Sequence, residues 1–104
     1  MLRIEKTNEF ERWFRHLKDR VALLSIGARL RAIEEHGELC GDWKPVGDGV
    51  VELRFDTGPG YRVYALPKGG LLLLLLLGGD KSSQKRDIRK ARVLAARWED
   101  GYAA

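Results

Sequence analysis

Apolar and charged positions alternate over residues 2–6 (LRIEK), the period-two mark of a short strand. The period then changes. Phe10, Trp13, Phe14 and Leu17 recur three and four residues apart, one stripe of a helix. Thr7 or Asn8 can cap that helix, Asn8 with Glu11 three residues on. Leu23, Ile26, Leu30 and Ile33 mark a second helix over about 21–36, with Gly37 as its C-cap, so that the two form a hairpin. From Asp42 to Gly79 the chain is rich in Gly, Pro and β-formers. Residues 43–46 form a short strand before the turn Gly47-Asp48-Gly49. Over residues 50–55, Val51, Leu53 and Phe55 point one way and Glu52 and Arg54 the other. Thr57-Gly58-Pro59-Gly60 is a turn, and residues 61–66 are the next strand, with Arg62 and Tyr64 on one face. Lys68-Gly69-Gly70 turns the chain into the run Leu71 to Leu77, too short for a useful helix and read as a strand covered on both faces. Gly78-Gly79 is expected to break it, and Ser82 or Ser83 to open a last helix to about Trp98, with Ile88, Ala91, Leu94, Ala95 and Trp98 on its apolar stripe. The order β-α-α-β-β-β-β-α predicts an α+β fold: an N-terminal strand, a helical hairpin, an antiparallel meander and a C-terminal helix, with the helices on one face of the sheet.

The 104 residues suit one domain, 1–104, and 44% hydrophobic with 33% charged residues is globular rather than disordered composition. Net charge is +4 and the pI about 9.5. The excess is uneven: eight basic against seven acidic residues through residue 40, eleven against eight after it. A basic C-terminal part favours polyanions, nucleic acid first, although solubilising charge explains the same balance. One cysteine, Cys40, excludes an internal disulfide and fits a reducing cytosol. Charges throughout the first ten residues argue against a signal peptide, and seven leucines fall far short of the roughly 20 residues a membrane helix needs. The expectation is a cytoplasmic protein with no membrane partner. Cys40 has no Cys or His at metal-ligand spacing, and GGDKSSQ lacks the spacing of a phosphate-binding Gly-Lys-Ser loop, so neither metal nor cofactor is called for.

Three successive segments, KPVGDGVVELR from Lys44, GPGYRVY from Gly58 and GGDKSSQ from Gly78, look like signatures of the HigB-like toxins of the RelE/ParE superfamily. The opening TNEFERWFRHL, from Thr7, resembles that family's first helix. The resemblance spans nearly the whole chain in the right order. It implies a microbial RNase-type sheet with two N-terminal helices. It also implies a type II toxin neutralised by a cognate antitoxin, a helix-turn-helix protein. HigB- and RelE-like members cut mRNA in the ribosomal A site, so ribosome and mRNA are the further partners implied. ParE-like members poison DNA gyrase instead, and a scaffold that only pairs with an antitoxin is a third reading.

RNA is cut without a metal when its 2′-hydroxyl attacks the adjacent phosphate. Cations must then gather round the non-bridging oxygens, with a base for the hydroxyl and an acid for the leaving oxygen. Arg54 and Arg62 lie on the non-core faces of adjacent strands, and strands about 4.8 Å apart let two guanidiniums converge on one phosphate. By the resemblance Arg62 matches the family's phosphate-binding arginine and Arg54 a basic position on the strand before it. The plainer reading is an ion pair, for example to Glu52. Lys81, at the mouth of the last helix, is a further candidate cation, and Lys44, Lys85 and Arg89 are candidate RNA contacts. Tyr61 is read as a packing residue; Tyr64 is open between stacking, orienting the arginines and packing. No histidine lies in the C-terminal segment and its tyrosine is Tyr102, near the end, while His16 and His36 read as surface or capping residues. Asp80, Gln84 and Asp87 are the supporting candidates nearest the arginines, and an aspartate with an ordinary pKa of about 3.9 makes a poor acid near neutrality. Catalysis then rests on electrostatic stabilisation and on positioning of the RNA.

Overall fold

The computed structural model describes residues 2–99. A short strand β1 (Arg3–Lys6) leads into helices α1 (Asn8–His16) and α2 (Arg20–His36). Strands β2 (Trp43–Gly47), β3 (Val50–Phe55), β4 (Tyr61–Lys68) and β5 (Leu72–Asp80) follow, then a 3-10 turn (Lys81–Ser83) and helix α3 (Gln84–Glu99). This is the α+β order expected from the pattern. Thr7, not Asn8, caps α1: its hydroxyl accepts from the Phe10 amide at 3.0 Å and donates to the Leu76 carbonyl at 2.7 Å, tying the helix start to β5. Asp19 caps α2, and Gly37 closes it in the left-handed conformation at φ 79°.

The five strands lie in the order β1-β5-β4-β3-β2. β2 to β5 form an antiparallel meander, and β1 joins its far edge parallel to β5. The sheet is covered on both faces, a correction to the expectation of helices on one. Phe10, Ile26 and Ile33 of the hairpin pack on Val51, Leu53, Phe55, Val63, Leu73 and Leu75. Ala91, Leu94 and Ala95 of α3 pack on Val50, Tyr64, Leu66, Leu74, Leu76 and Leu77. The cause is the leucine strand. Its side chains project alternately to both faces, and neither face has polar residues that could be left to water.

One further expectation is corrected at the end of β5. Gly78 and Gly79 do not break the strand; they pair with Val63 and Arg62 and carry it on to Asp80. Each admits a neighbour instead. A Cβ on Gly78 would run into the Trp13 indole, and one on Gly79 into the Asp87 carboxylate. Asp80 caps the 3-10 turn, its carboxylate accepting from the Ser82 amide at 2.8 Å, and α3 opens directly after Ser83, as expected.

In the β4–β5 pair the register slips between Tyr64 and Ala65, where Tyr64 faces Leu77 and Ala65 faces Leu75. The extra residue, Leu76, is a β-bulge. It lets Leu76 and Leu77 both face α3. Beyond the bulge every side chain of β5 is re-aimed, so Gly78 falls under α1 and Gly79 under α3.

Candidate functional site

Residues directly opposite in an antiparallel ladder share a face. Two such rows cross the sheet under the start of α3. One runs Lys44, Glu52, Tyr64, Leu77; the next runs Arg54, Arg62, Gly79. Arg54 and Arg62 are thus exact cross-strand partners, two like charges set side by side, an arrangement that costs stability unless an anion lies between them. Glu52 is that anion in the free protein.

The Glu52 side chain is wholly buried. One carboxylate oxygen accepts from Arg54 Nε at 2.9 Å and lies 3.9 Å from Arg62 Nε. The other accepts from Gln84 Nε2 at 2.8 Å. Burial by itself would raise the Glu52 pKa, but the donors from Gln84 and Arg54 outweigh it and hold the group below its ordinary value. The carboxylate in turn keeps Arg54 more firmly protonated. In the sequence Glu52 reads only as an ion-pair partner. Its position two residues before Arg54 on one strand face was the available signal, but its complete burial depends on α3 closing over it.

Arg62 is nearly enclosed, with 11% of its side chain exposed. Nη1 donates to the Gly60 and Tyr61 carbonyls at 3.2 and 3.3 Å, while Nε is buried without a hydrogen-bond partner. Lys81 lies beside it. A Cβ on Gly60, which sits at φ 80°, would be 3.5 Å from Arg62 Nη1 and 3.6 Å from Lys81 Cβ, so both cationic side chains flank one spot. Arg54, less enclosed, has its backbone held from behind. Arg29 of α2, which the sequence did not single out, donates to the Arg54 carbonyl at 2.9 Å and to that of Asp42 at 3.1 Å. Its guanidinium also lies 4.4 Å over the Phe55 ring.

The tyrosines divide. Tyr61 packs edge-on against Trp13 and donates to Asp19 at 3.2 Å, in line with a packing role. Tyr64 is fully buried, so its ring is closed to a stacking base. Burial first, then the nearby Glu52 carboxylate, push its phenol far above the ordinary value, yet its hydroxyl makes no hydrogen bond of good geometry.

Around the start of α3, Asp80 is spent on capping, and its bonds to Ser82 hold it below its ordinary pKa. Asp87 is buried, accepts from the Ser83 hydroxyl and rests against Gly79. Lys81, Ser82, Ser83, Gln84, Lys85, Arg86 and Arg89 line an open basin of about 520 Å³. Lys85 and Arg89 therefore share a surface with Lys81 and Gln84, and exposed Lys44 sits opposite Glu52 on the edge strand. His16 and His36 lie exposed in the last turns of α1 and α2, away from these residues; Tyr102 lies outside the described residues.

This sheet with its helices and carboxyl-terminal helix is the RelE fold. A double-arginine mutant of E. coli toxin RelE in the free state superposes with a TM-score of 0.68 at 10% identity, over 88% of this chain and 94% of that one. No family model matches the chain. A protein of Haemophilus influenzae described as uncharacterized is 45% identical over 94 residues, covering 90% of this chain and 93% of that protein, and this chain belongs to its family.

Proposed function

We propose that the protein is the toxin of a type II toxin–antitoxin system, of the HigB-like branch, and that it cuts mRNA on the ribosome. The observation that carries this reading is the buried Glu52 carboxylate between the paired guanidiniums of Arg54 and Arg62, bonded to Gln84, which lines a basic basin with Lys81. The likeness in fold to RelE supports it.

The cluster suits attack by a ribose 2′-hydroxyl. Glu52 takes the hydroxyl proton, the 2′-oxygen bonds to phosphorus, and the bond from phosphorus to the 5′-oxygen breaks. A 2′,3′-cyclic phosphate and a 5′-hydroxyl end result. Arg54, Arg62 and Lys81 neutralise the charge that grows on the non-bridging oxygens. The leaving 5′-oxygen collects a proton, for which the Lys81 ammonium is the candidate donor. Arg62 Nε, buried without a hydrogen-bond partner, gains an acceptor when a phosphate oxygen enters. Lys44, Lys85 and Arg89 hold the flanking strand. Asp80 and Asp87 fix the frame that Lys81 and Gln84 stand on, and Tyr64 backs Glu52 from the core. Partners are the ribosome with its mRNA and a cognate antitoxin of the helix-turn-helix kind. The site of action is the cytoplasm; among the described residues no helix is long and apolar enough to cross a membrane.

The test is to induce the protein in cells and map mRNA 5′ ends, with Arg62→Ala as control. New ends in phase with codons, reduced about 10²–10³-fold in the control, are expected. Growth arrest with DNA breaks and no new ends would instead identify a ParE-like gyrase inhibitor. Neither effect would leave a scaffold that only binds its antitoxin.

A further inference from the structure

Gln84 is the α3 side chain that hydrogen-bonds the Glu52 carboxylate. Its place in the first turn is fixed from three sides. Asp80 caps the turn before it, Ser83 is bonded to Asp87, and Gly79 leaves room for the Asp87 carboxylate against the sheet. The reach from helix to β3 is thereby set by packing rather than by the glutamine itself. A carboxylate has about four lone-pair sites on its two oxygens. Arg54 occupies one on the first oxygen and Gln84 one on the second, with the Tyr64 hydroxyl close to the same carboxylate. Without Gln84 the carboxylate is free to swing toward Arg62, whose Nε lies 3.9 Å away without a hydrogen bond. There it would fill the place of a phosphate.

We infer that Gln84 is a positioning residue: it keeps the Glu52 carboxylate 3.9 Å from Arg62 Nε, short of a hydrogen bond, so that this donor is left for a phosphate oxygen while Glu52 faces the 2′-hydroxyl. The inference rests on the ribonuclease reading above. A neutral amide suits the task, because it orients the carboxylate without adding a further cation that would itself draw the phosphate. The groups facing Glu52 are Lys44 on β2, Arg54 on β3, Arg62 and Tyr64 on β4, and Gln84 on α3, with Asp87 one turn further along; β5 brings the uncharged Leu77 and Gly79.

Two substitutions test this in the full chain. Gln84→Met removes the donor at similar length, and Gln84→Lys replaces it with a charged one. The Glu52 titration is followed by carboxyl carbon NMR, alongside kcat and KM of ribosome-dependent cleavage across pH. Gln84→Met is expected to move the titration and the acid limb of kcat upward together. Its kcat near neutrality falls about tenfold with little change in KM, as for a group displaced from its working geometry. Gln84→Lys is expected to move both downward, an opposed pair of shifts that a purely structural role would not produce. Should Gln84→Met fail to fold, the direction of the Gln84→Lys shift decides. A titration that stays put in the folded variants, or a change confined to KM, overturns the role of Gln84. A wild-type protein that cuts no mRNA overturns the ribonuclease reading instead, and the NMR arm keeps the two failures apart.

Discussion

A carboxylate with no solvent contact stays ionised only while its donors hold it. At Glu52 those donors are Gln84 and Arg54. The pH consequence has a definite sign. The folded pKa is lowered from 4.5, so the stability gained is complete above that unfolded value and is lost as pH falls through the lower folded one. A base of this kind is fully deprotonated at neutral pH. Cleavage is therefore expected to be flat from about pH 6 upward on its acid side, and Glu52→Gln to lower kcat about 10²–10⁴-fold. The same substitution is expected to flatten the fall of Tm in acid. A pH series of kcat and of thermal melts on both proteins checks the two together, and full activity in Glu52→Gln would remove Glu52 as the base. Tyr64 offers a contrast directly opposite Glu52 on β4. Its hydroxyl is buried without a hydrogen bond of good geometry. Removing an unsatisfied polar atom is close to neutral or stabilising. Tyr64→Phe should change stability by less than about 1 kcal/mol and leave a folded, active protein; a large loss of kcat with an unchanged Tm would show that the phenol takes part in the chemistry.

At the scale of elements, the site depends on the far end of β5. The bulge at Leu76 sends Gly79 toward α3, and only a hydrogen in place of a side chain lets Asp87 lie against that strand. Gly79→Ala must push the Asp87 carboxylate away, and α3 with it. A cost of about 1–3 kcal/mol is expected, as for overpacking in a core, together with loss of the contact between Gln84 and Glu52. Urea unfolding measures the first, and the Glu52 titration the second; an unchanged midpoint would mean that α3 is not seated on this glycine. The strands, helices and hairpins were legible because their periods are clear, and so was the shared face of Arg54 with Glu52 and of Arg62 with Tyr64. Seven identical leucines hid the bulge, since no change of residue type marks where the alternation slips. The glycine pair looked like a strand end because glycine weakens strands, yet here it marks close approach by Trp13 and Asp87. The full burial of Glu52 was hidden for a related reason: α3 is distant in sequence, and a charged strand residue normally faces water. Arg29 was missed because its partners are a ring and two carbonyls, which leave no charge pattern to read.

On the scale of the whole molecule, the sheet separates two kinds of surface. The face under α1 and α2 is closed by apolar packing, while the face under α3 carries the arginines and the basin. The cations of that side are not equivalent. Arg92 is committed to Asp48 and Lys68 to Glu99, toward the other end of α3. Lys81, Lys85 and Arg89 form no ion pair among the described residues. Lys81 and Lys85 moreover sit at the helix start, where the macrodipole disfavours positive charge. Such a placement costs helix stability and gains from a bound anion. If Lys85 and Arg89 each neutralise one phosphate of a single strand, replacing both by Gln should weaken RNA association and flatten its salt dependence. For single strands each lost contact lowers the slope of log K against log salt by about 0.7, so a drop of about 1.4 is expected. The loss should fall on KM far more than on kcat, because these side chains line the basin rather than the Glu52 cluster. Binding of ribosome-bound mRNA measured from 50 to 300 mM salt, on the order of the range where counterion release is resolved, gives the slope. An unaltered slope in the double variant would mean that the strand runs elsewhere, along Lys44 and the β2 edge, and that the cations of α3 serve a different anion.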